Sequence, residues 1–250
     1  MRAKIVRKEI LNRDTFSLWL QCERVVEEAN PGQFIQVRVG DGFYPFLSRP
    51  FSIADIDPSK NALRIAFKVR GEGTSLLSKK GVGEFLEILG PLGKPCPIPE
   101  GGKTLLVGGG IGAAPLLFLT RVIGRVREKR PDFILGAKTK RELVLLREIE
   151  ALSNHLEIAT EDGSYGKEGL VTDLLEGKRY NTIFACGPLE MLKRIKEMNL
   201  PSEIYGFFET RMGCGTGLCF SCAIKKRGGG YLRVCRDGPV FNLEEIDFES

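Results

Sequence analysis

The feature that most constrains this chain is a run of four cysteines near its end. Cys214, Cys219, Cys222 and Cys235 lie in MGCGTGLCFSCAIKKRGGGYLRVC, a spacing of C-x4-C-x2-C-x12-C. Three thiols on one tight loop can converge on a small inorganic core. Gly213, Gly215 and Gly217 allow the backbone to wrap closely around it, and Cys235, at the end of the strand-like YLRVC, can close the set from the other side. The first two spacings are those of plant-type [2Fe–2S] ligation, with the fourth cysteine later in the chain. A structural zinc site is the competing reading, although zinc knuckles usually pair two similar CxxC units and this run has unequal ones. The chain has seven cysteines, an odd number, and one histidine, His155. Uneven clustering in a chain long enough to build a core without staples argues against a disulfide framework. The single histidine excludes any site needing two. Cys22 and Cys96 read as small core hydrophobes, and His155 as a surface residue.

Hydrophobic periodicity divides the remainder. Up to about residue 98, short alternating runs (AKIVRKEIL, TFSLWLQ, FIQVRV, PFSIADI, LRIAFKV and EFLEILG) are separated by NPGQ, GDGFYP, DPSKN, GEGT and GPLG. Six strands with no long helical pattern predict a closed antiparallel barrel. KPCPIPEGGK, at 94–103, marks a boundary. From Thr104 the pattern changes. TLLVGG, FILGAK, LEIAT, NTIFACG and EIYGFF read as strands. They alternate with helices at 113–129, RELVLLREIEAL, GLVTDLLE and PLEMLKRIKEMN. That alternation predicts right-handed βαβ units and a doubly wound α/β parallel sheet. The expected organisation is multidomain: a β-barrel over 1–98, an α/β unit over 99–208 and a small cysteine module over 209–250.

The 250 residues carry 42% apolar and 28% charged side chains, as ordinary globular chains do. Charges interrupt every apolar run near the start, so there is no signal-peptide core. The uncharged stretch TLLVGGGIGAAPLLFLT falls short of a bilayer span. The expected location is the cytoplasm.

Several segments carry ligand chemistry. In RPFSI, Arg49 can pair bidentately with a phosphate, Phe51 can lie against a flat aromatic cofactor, and Ser52 can hydrogen-bond a ring edge. Gly71, Gly73 and Thr74 form a turn into a short helix whose N-terminus suits a pyrophosphate. GGGIGAAP, at 108–115, lies between strand and helix, where backbone N–H groups can approach a phosphate. It is not a GxGxxG motif, and no acidic ribose ligand follows at the usual distance. Each segment alone also fits a plain strand or turn. Lys138, Lys140 and Arg141 fit a 2′-phosphate or, more simply, a solvated basic cluster.

The order of these segments is distinctive. RPFSI, GEGT, GPLG, GGGIGAAP, EDGSYG, ACGP and the cysteine run span residues 49–235. That series resembles the ferredoxin-reductase superfamily of flavoproteins. The tail VCRDGPVF resembles the electron-transfer subunits of heteromeric, NAD-linked (class 1B) dihydroorotate dehydrogenases. The resemblance implies FAD in the barrel domain, with Arg49, Pro50, Phe51, Ser52, Ala66, Phe67 and Lys68 lining it and Gly73 and Thr74 at its pyrophosphate. It implies NAD over Gly110, Ile111 and Gly112, near Cys186 and Gly187, with Ser52 and Cys186 closest to the chemistry. Cys214, Cys219, Cys222 and Cys235 would ligate the cluster. Many superfamily members carry an aromatic hydroxyl where this chain has Phe51.

The implied function is transfer of electrons between NAD and a separate FMN-containing catalytic subunit through FAD and the cluster, in pyrimidine biosynthesis. The expected assembly is a two-plus-two heterotetramer, with no nucleic-acid or membrane partner. Alternatives are a subunit of a related NAD(P)H-dependent hydrogenase or ferredoxin reductase complex, or a non-enzymatic redox-sensing or zinc module. The formal charge of +5 fits the cofactor reading. An oxidised cluster with its thiolates carries about −2 and the FAD pyrophosphate about −2, so the basic excess complements anionic cofactors.

Overall fold

The computed structural model describes residues 1–40, 42 and 44–248. Asp41 and Phe43, within the expected GDGFYP turn, and Glu249 and Ser250 lie outside the described residues.

The first six strands are β1 (Arg2–Asn12), β2 (Thr15–Gln21), β3 (Phe34–Arg38), β4 (Arg49–Asp57), β5 (Ala62–Lys68) and β6 (Phe85–Leu92). They close in the order β1-β2-β5-β4-β3-β6, every pairing antiparallel. Period-two alternation puts Leu18, Leu20, Ile35, Val37, Ile53, Leu63 and Ile65 inside, and their burial forms the barrel core. The outward residues of the same strands, among them Pro50, Ser52, Ala66 and Lys68, are left half-exposed for other contacts. Two short helices interrupt the barrel, α1 (Glu23–Glu28) and α2 (Glu72–Lys79).

The second half is a seven-stranded sheet. Its strands are β7 (Thr104–Gly109), β8 (Asp132–Ala137), β9 (Leu156–Thr160), β10 (Lys167–Glu168), β11 (Thr182–Cys186) and β12 (Glu203–Phe207), completed from near the C-terminus. Helix α3 (Ala113–Arg127) and α4 (Leu146–Leu152) pack on one face through Leu116, Leu117 and Ile149. Helix α5 (Leu189–Glu197) packs on the other through Met191, Leu192 and Ile195. The near-continuous apolar strands are those of a parallel sheet covered on both faces.

Three local expectations are corrected. RELVLLREIEAL is not one helix. A 3₁₀ turn at Lys140–Glu142 is followed by a break at Leu145, with φ of +59°, before α4 begins. Val144 and Leu145 are drawn into the core at that break, so tertiary burial overrides local propensity. GLVTDLLE likewise forms only a 3₁₀ turn, at Val171–Leu174.

Cys235 is not on a strand. After β13 (Ala223–Lys225) and β14 (Tyr231–Arg233) the chain enters a single helical turn, α6 (Val234–Asp237), which contains Cys235. The last strand, β15 (Val240–Asn242), adds antiparallel to β12, giving the order β10-β9-β8-β7-β11-β12-β15.

Ion pairs join the barrel to the α/β part. Arg121 of α3 donates two hydrogen bonds, 2.9 and 2.7 Å, to the buried carboxylate of Asp55 on β4. Arg64 of β5, 1% exposed, donates to Glu9 of β1 at 2.9 Å and to Glu148 of α4 at 2.5 Å.

Candidate functional site

A cleft of about 230 Å³ opens between barrel and parallel sheet. Seven of the nine residues expected at the flavin line it: Pro50, Phe51, Ser52, Ala66, Phe67, Lys68 and Thr74. Pro50 and Ser52 alternate outward on β4, as Ala66 and Lys68 do on β5. Phe51 and Phe67 point inward, with ring centroids 5.5 Å apart in the barrel core. The Phe51 ring is thus already engaged by protein; of the polar outward residues Ser52 faces the cleft, while Lys68 is held by Asp14 at 3.4 Å and Glu142 at 3.6 Å.

Arg49 and Gly73 meet at the start of α2. A Cβ on Gly73 would come within 2.7 Å of Arg49 Nε, so the missing side chain lets the guanidinium lie over the helix N-terminus. The Thr74 hydroxyl accepts from the Arg70 and Gly71 N–H groups at 2.9 and 3.2 Å and donates to the Gly71 carbonyl. This holds the first turn closed. A guanidinium and a helix start at one place favour an anion.

A larger cleft, about 910 Å³, lies at the carboxyl ends of β7, β8 and β11, and Gly110, Ile111, Gly112, Cys186 and Gly187 all line it. Open α/β sheets bind ligands at this end. The two motifs are in direct contact, because a Cβ on Gly112 would lie 2.3 Å from the Cys186 carbonyl oxygen. Only glycine lets the turn settle on the end of β11. Burial pushes the Cys186 thiol well up, so it remains a neutral thiol. Of the basic trio, Lys138 lines this cleft, whereas Lys140 lies over the Tyr165 ring at 5.0 Å.

Sequence reasoning missed Arg70 and Glu209. Both line both clefts. By surface area Glu209 is open to the cleft, yet the walls crowd it, and burial is the main influence raising its carboxyl pKa, opposed by Arg70. The available signal was a lone acid after the apolar strand EIYGFF. Phe34 was also missed. It lines the smaller cleft and packs in the same core cluster as Cys222 and Cys235.

The four cysteines form two pairs. Cys222 and Cys235 are buried with their sulfurs 3.2 Å apart. The β13–β14 hairpin prepares this: its Ala223–Arg233 register sets Val234 opposite Cys222, whose carbonyl accepts from the Val234 N–H at 3.2 Å, and Cys235 follows in the turn of α6. Cys214 and Cys219 occupy the exposed loop, where the Cys214 sulfur accepts from the Thr216 and Cys219 N–H groups and the Cys219 sulfur from the Cys214 N–H. Hydrogen bonding, first from the Thr216 side chain, lowers the Cys214 pKa to about 5. That from Ser221 lowers Cys219. Burial and then Cys222 push Cys235 up to about 12. Gly215 and Gly217 take φ of +71° and +84°, the left-handed region that glycine permits.

This donor set fits a two-iron cluster, in which each iron takes two thiolates besides its bridging sulfides. A single zinc ion instead takes its ligands around one point.

Comparison with known proteins places these features in a class. Residues 209–247 match the family described as the iron–sulfur cluster binding domain of dihydroorotate dehydrogenase B. The solved structure of an NADH-dependent reduced ferredoxin–NADP oxidoreductase superposes with a TM-score of 0.90 at 33% identity, covering 99% of this chain and 90% of that one. A ferredoxin reductase of carbazole 1,9a-dioxygenase shares the fold at 22% identity and a TM-score of 0.70, covering 83% and 69%. Fold and site together define a reductase of the ferredoxin-reductase type carrying an iron–sulfur domain.

Full-length relatives narrow this. The electron transfer subunit of dihydroorotate dehydrogenase B (NAD(+)) from Geobacillus thermodenitrificans is 38% identical over 252 residues, covering 98% of this chain and 97% of the relative. That of Bacillus velezensis is 39% identical over 247 residues, covering 95% and 94%. The chain belongs to this family of dihydroorotate dehydrogenase B electron transfer subunits.

Proposed function

We propose that this chain carries electrons between a nicotinamide nucleotide and an FMN-containing dihydroorotate dehydrogenase subunit, with which it forms a two-plus-two heterotetramer in the cytoplasm. The observation that carries the reading is adjacency. The smaller cleft shares Lys68, Arg70, Ile111 and Glu209 with the larger one and Phe34 with the cysteine core.

FAD suits the smaller cleft, NAD the larger one and a [2Fe–2S] cluster the cysteines. Bound together, these groups supply the exchange of hydride pairs for single electrons. The protein's own part is to bind and orient. Arg49 and the start of α2 attract the flavin pyrophosphate, while Ser52 and Lys68 offer polar atoms along the cleft. The turn over 110–112 presents backbone N–H groups to the nicotinamide nucleotide. Cys186, a neutral thiol, packs at its reacting end without adding charge, and Glu209 stands where the two clefts join. The two cysteine pairs would hold the cluster, with Phe34 packed against Cys222 and Cys235. Among the described residues no helix is long and apolar enough to cross a membrane.

The test is copurification from the native source followed by analysis for FAD, FMN and iron. The expected result is a dihydroorotate-oxidising partner in equal number, with NADH–dye reduction but no orotate formation by this chain alone. Orotate formation by the purified single chain would overturn the partner requirement. The close structural match to a ferredoxin–NADP oxidoreductase favours a second reading, a subunit of a related NAD(P)H-dependent complex. A different flavoprotein in the copurified complex would identify it.

A further inference from the structure

Gln36 sits on the outward face of β3 and is 3% exposed, yet neither its Oε1 nor its Nε2 makes a hydrogen bond. A buried amide without partners is costly, and an apolar side chain of the same shape would avoid that cost. Such a group calls for a reason.

Its surroundings supply one. A Cβ on Gly215 would come within 2.8 Å of both Cγ and Nε2 of Gln36, so the cysteine loop is laid directly on this amide. Gln36 also lines a groove of about 380 Å³ with Gly213 and Cys214. Two residues earlier on the same face, Phe34 lines the smaller cleft and packs with Cys222 and Cys235. The outer face of β3 is therefore the wall between the flavin cleft and the cysteines, and Gln36 is its polar element.

We propose that the Gln36 side-chain amide donates a hydrogen bond to the sulfurs of the cluster held by the cysteine loop and thereby raises the cluster's reduction potential. The inference rests on the cluster reading above. An iron–sulfur core gains negative charge when it accepts an electron, so a donor to its sulfurs favours the reduced form. Hydrogen bonds of this kind are among the main determinants of cluster potential. Position on the strand then gives the wall a second role. It separates flavin from cluster and also sets how readily the cluster accepts electrons from that side.

The test is an EPR-monitored redox titration of the full chain as Gln36→Met, which keeps length without polarity, and Gln36→Glu, which replaces donors by a carboxylate. For Gln36→Met the reduced-to-oxidised ratio of the cluster at fixed ambient potential falls about tenfold, or about 59 mV for a one-electron couple, while the FAD midpoint stays in place. Gln36→Glu moves the cluster midpoint further in the same direction. An unchanged cluster midpoint in iron-loaded variants, or equal movement of FAD and cluster, overturns the proposal. So does loss of iron from both variants with FAD content and fold intact, because Gln36 would then be a structural support. Iron-free wild-type protein would instead overturn the cluster reading itself.

Discussion

At the scale of single residues, chemistry follows from what surrounds each side chain. The same residue type is held in opposite states along this chain: hydrogen bonds hold Cys214 down to about 5, whereas burial pushes Cys186 well up. Cys219→Ala removes one thiol of the exposed pair, and the expected outcome is loss of most bound iron and of the cluster's visible absorption with FAD retained. Iron assay and spectra of the purified variant check this.

Glu209 makes a pH prediction. Because crowding by the cleft walls raises its carboxyl pKa, the folded chain keeps this proton at pH values where the unfolded chain has lost it. Its contribution to stability therefore falls as pH rises through the window just above the ordinary carboxylate range. In Glu209→Gln that slope disappears. Thermal midpoints of the two proteins should converge at acid pH, with the variant relatively more stable toward neutrality.

At the scale of elements, what matters is how turns and strand ends meet. GGGIG and ACGP lie some seventy residues apart in sequence, yet Gly112 rests on the Cys186 carbonyl. Gly112→Ala forces that contact apart, at a cost of about 1–3 kcal/mol if the turn yields as overpacked sites do. The expected signature is a raised KM for NADH with FAD content unchanged, measured by steady-state dye reduction and flavin absorbance. Strands and long helices were legible because period and turn residues agreed. The break before α4 was not, because Val144 and Leu145 continue an apolar pattern that only the core redirects. The hairpin bringing Cys235 to Cys222 was equally hidden, since β13 and β14 have three residues each and carry little periodic signal.

At the scale of the whole molecule, the clefts exist because barrel and sheet are held in one relative position. The buried Arg64 is central to that hold through Glu9 and Glu148. Arg64→Ala leaves a cavity and takes the guanidinium away from Glu148, while Glu9 keeps Arg7 at 2.6 Å. Removing one partner from a buried pair costs about 3–5 kcal/mol, and the half-exposed Glu148 places this case toward the lower end. Arg64→Met, which fills the space, should lose less. Denaturant unfolding of both variants checks the order, and faster proteolysis between barrel and sheet should accompany the loss in Arg64→Ala.

The sequence by itself determined the kinds of element, the barrel and sheet classes, the spacing of the cysteines and the order of the glycine-rich turns. These depend on period, spacing and backbone freedom, which are properties of neighbours along the chain. Only the tertiary structure decided that Arg70 and Glu209 stand where two clefts join, that the cysteines fall into two pairs, and that Phe34 and Gln36 form the wall between the smaller cleft and the cysteines. Those facts depend on which surfaces are pressed together. A side chain's burial and charge environment come from partners far away in sequence, so no local pattern encodes them.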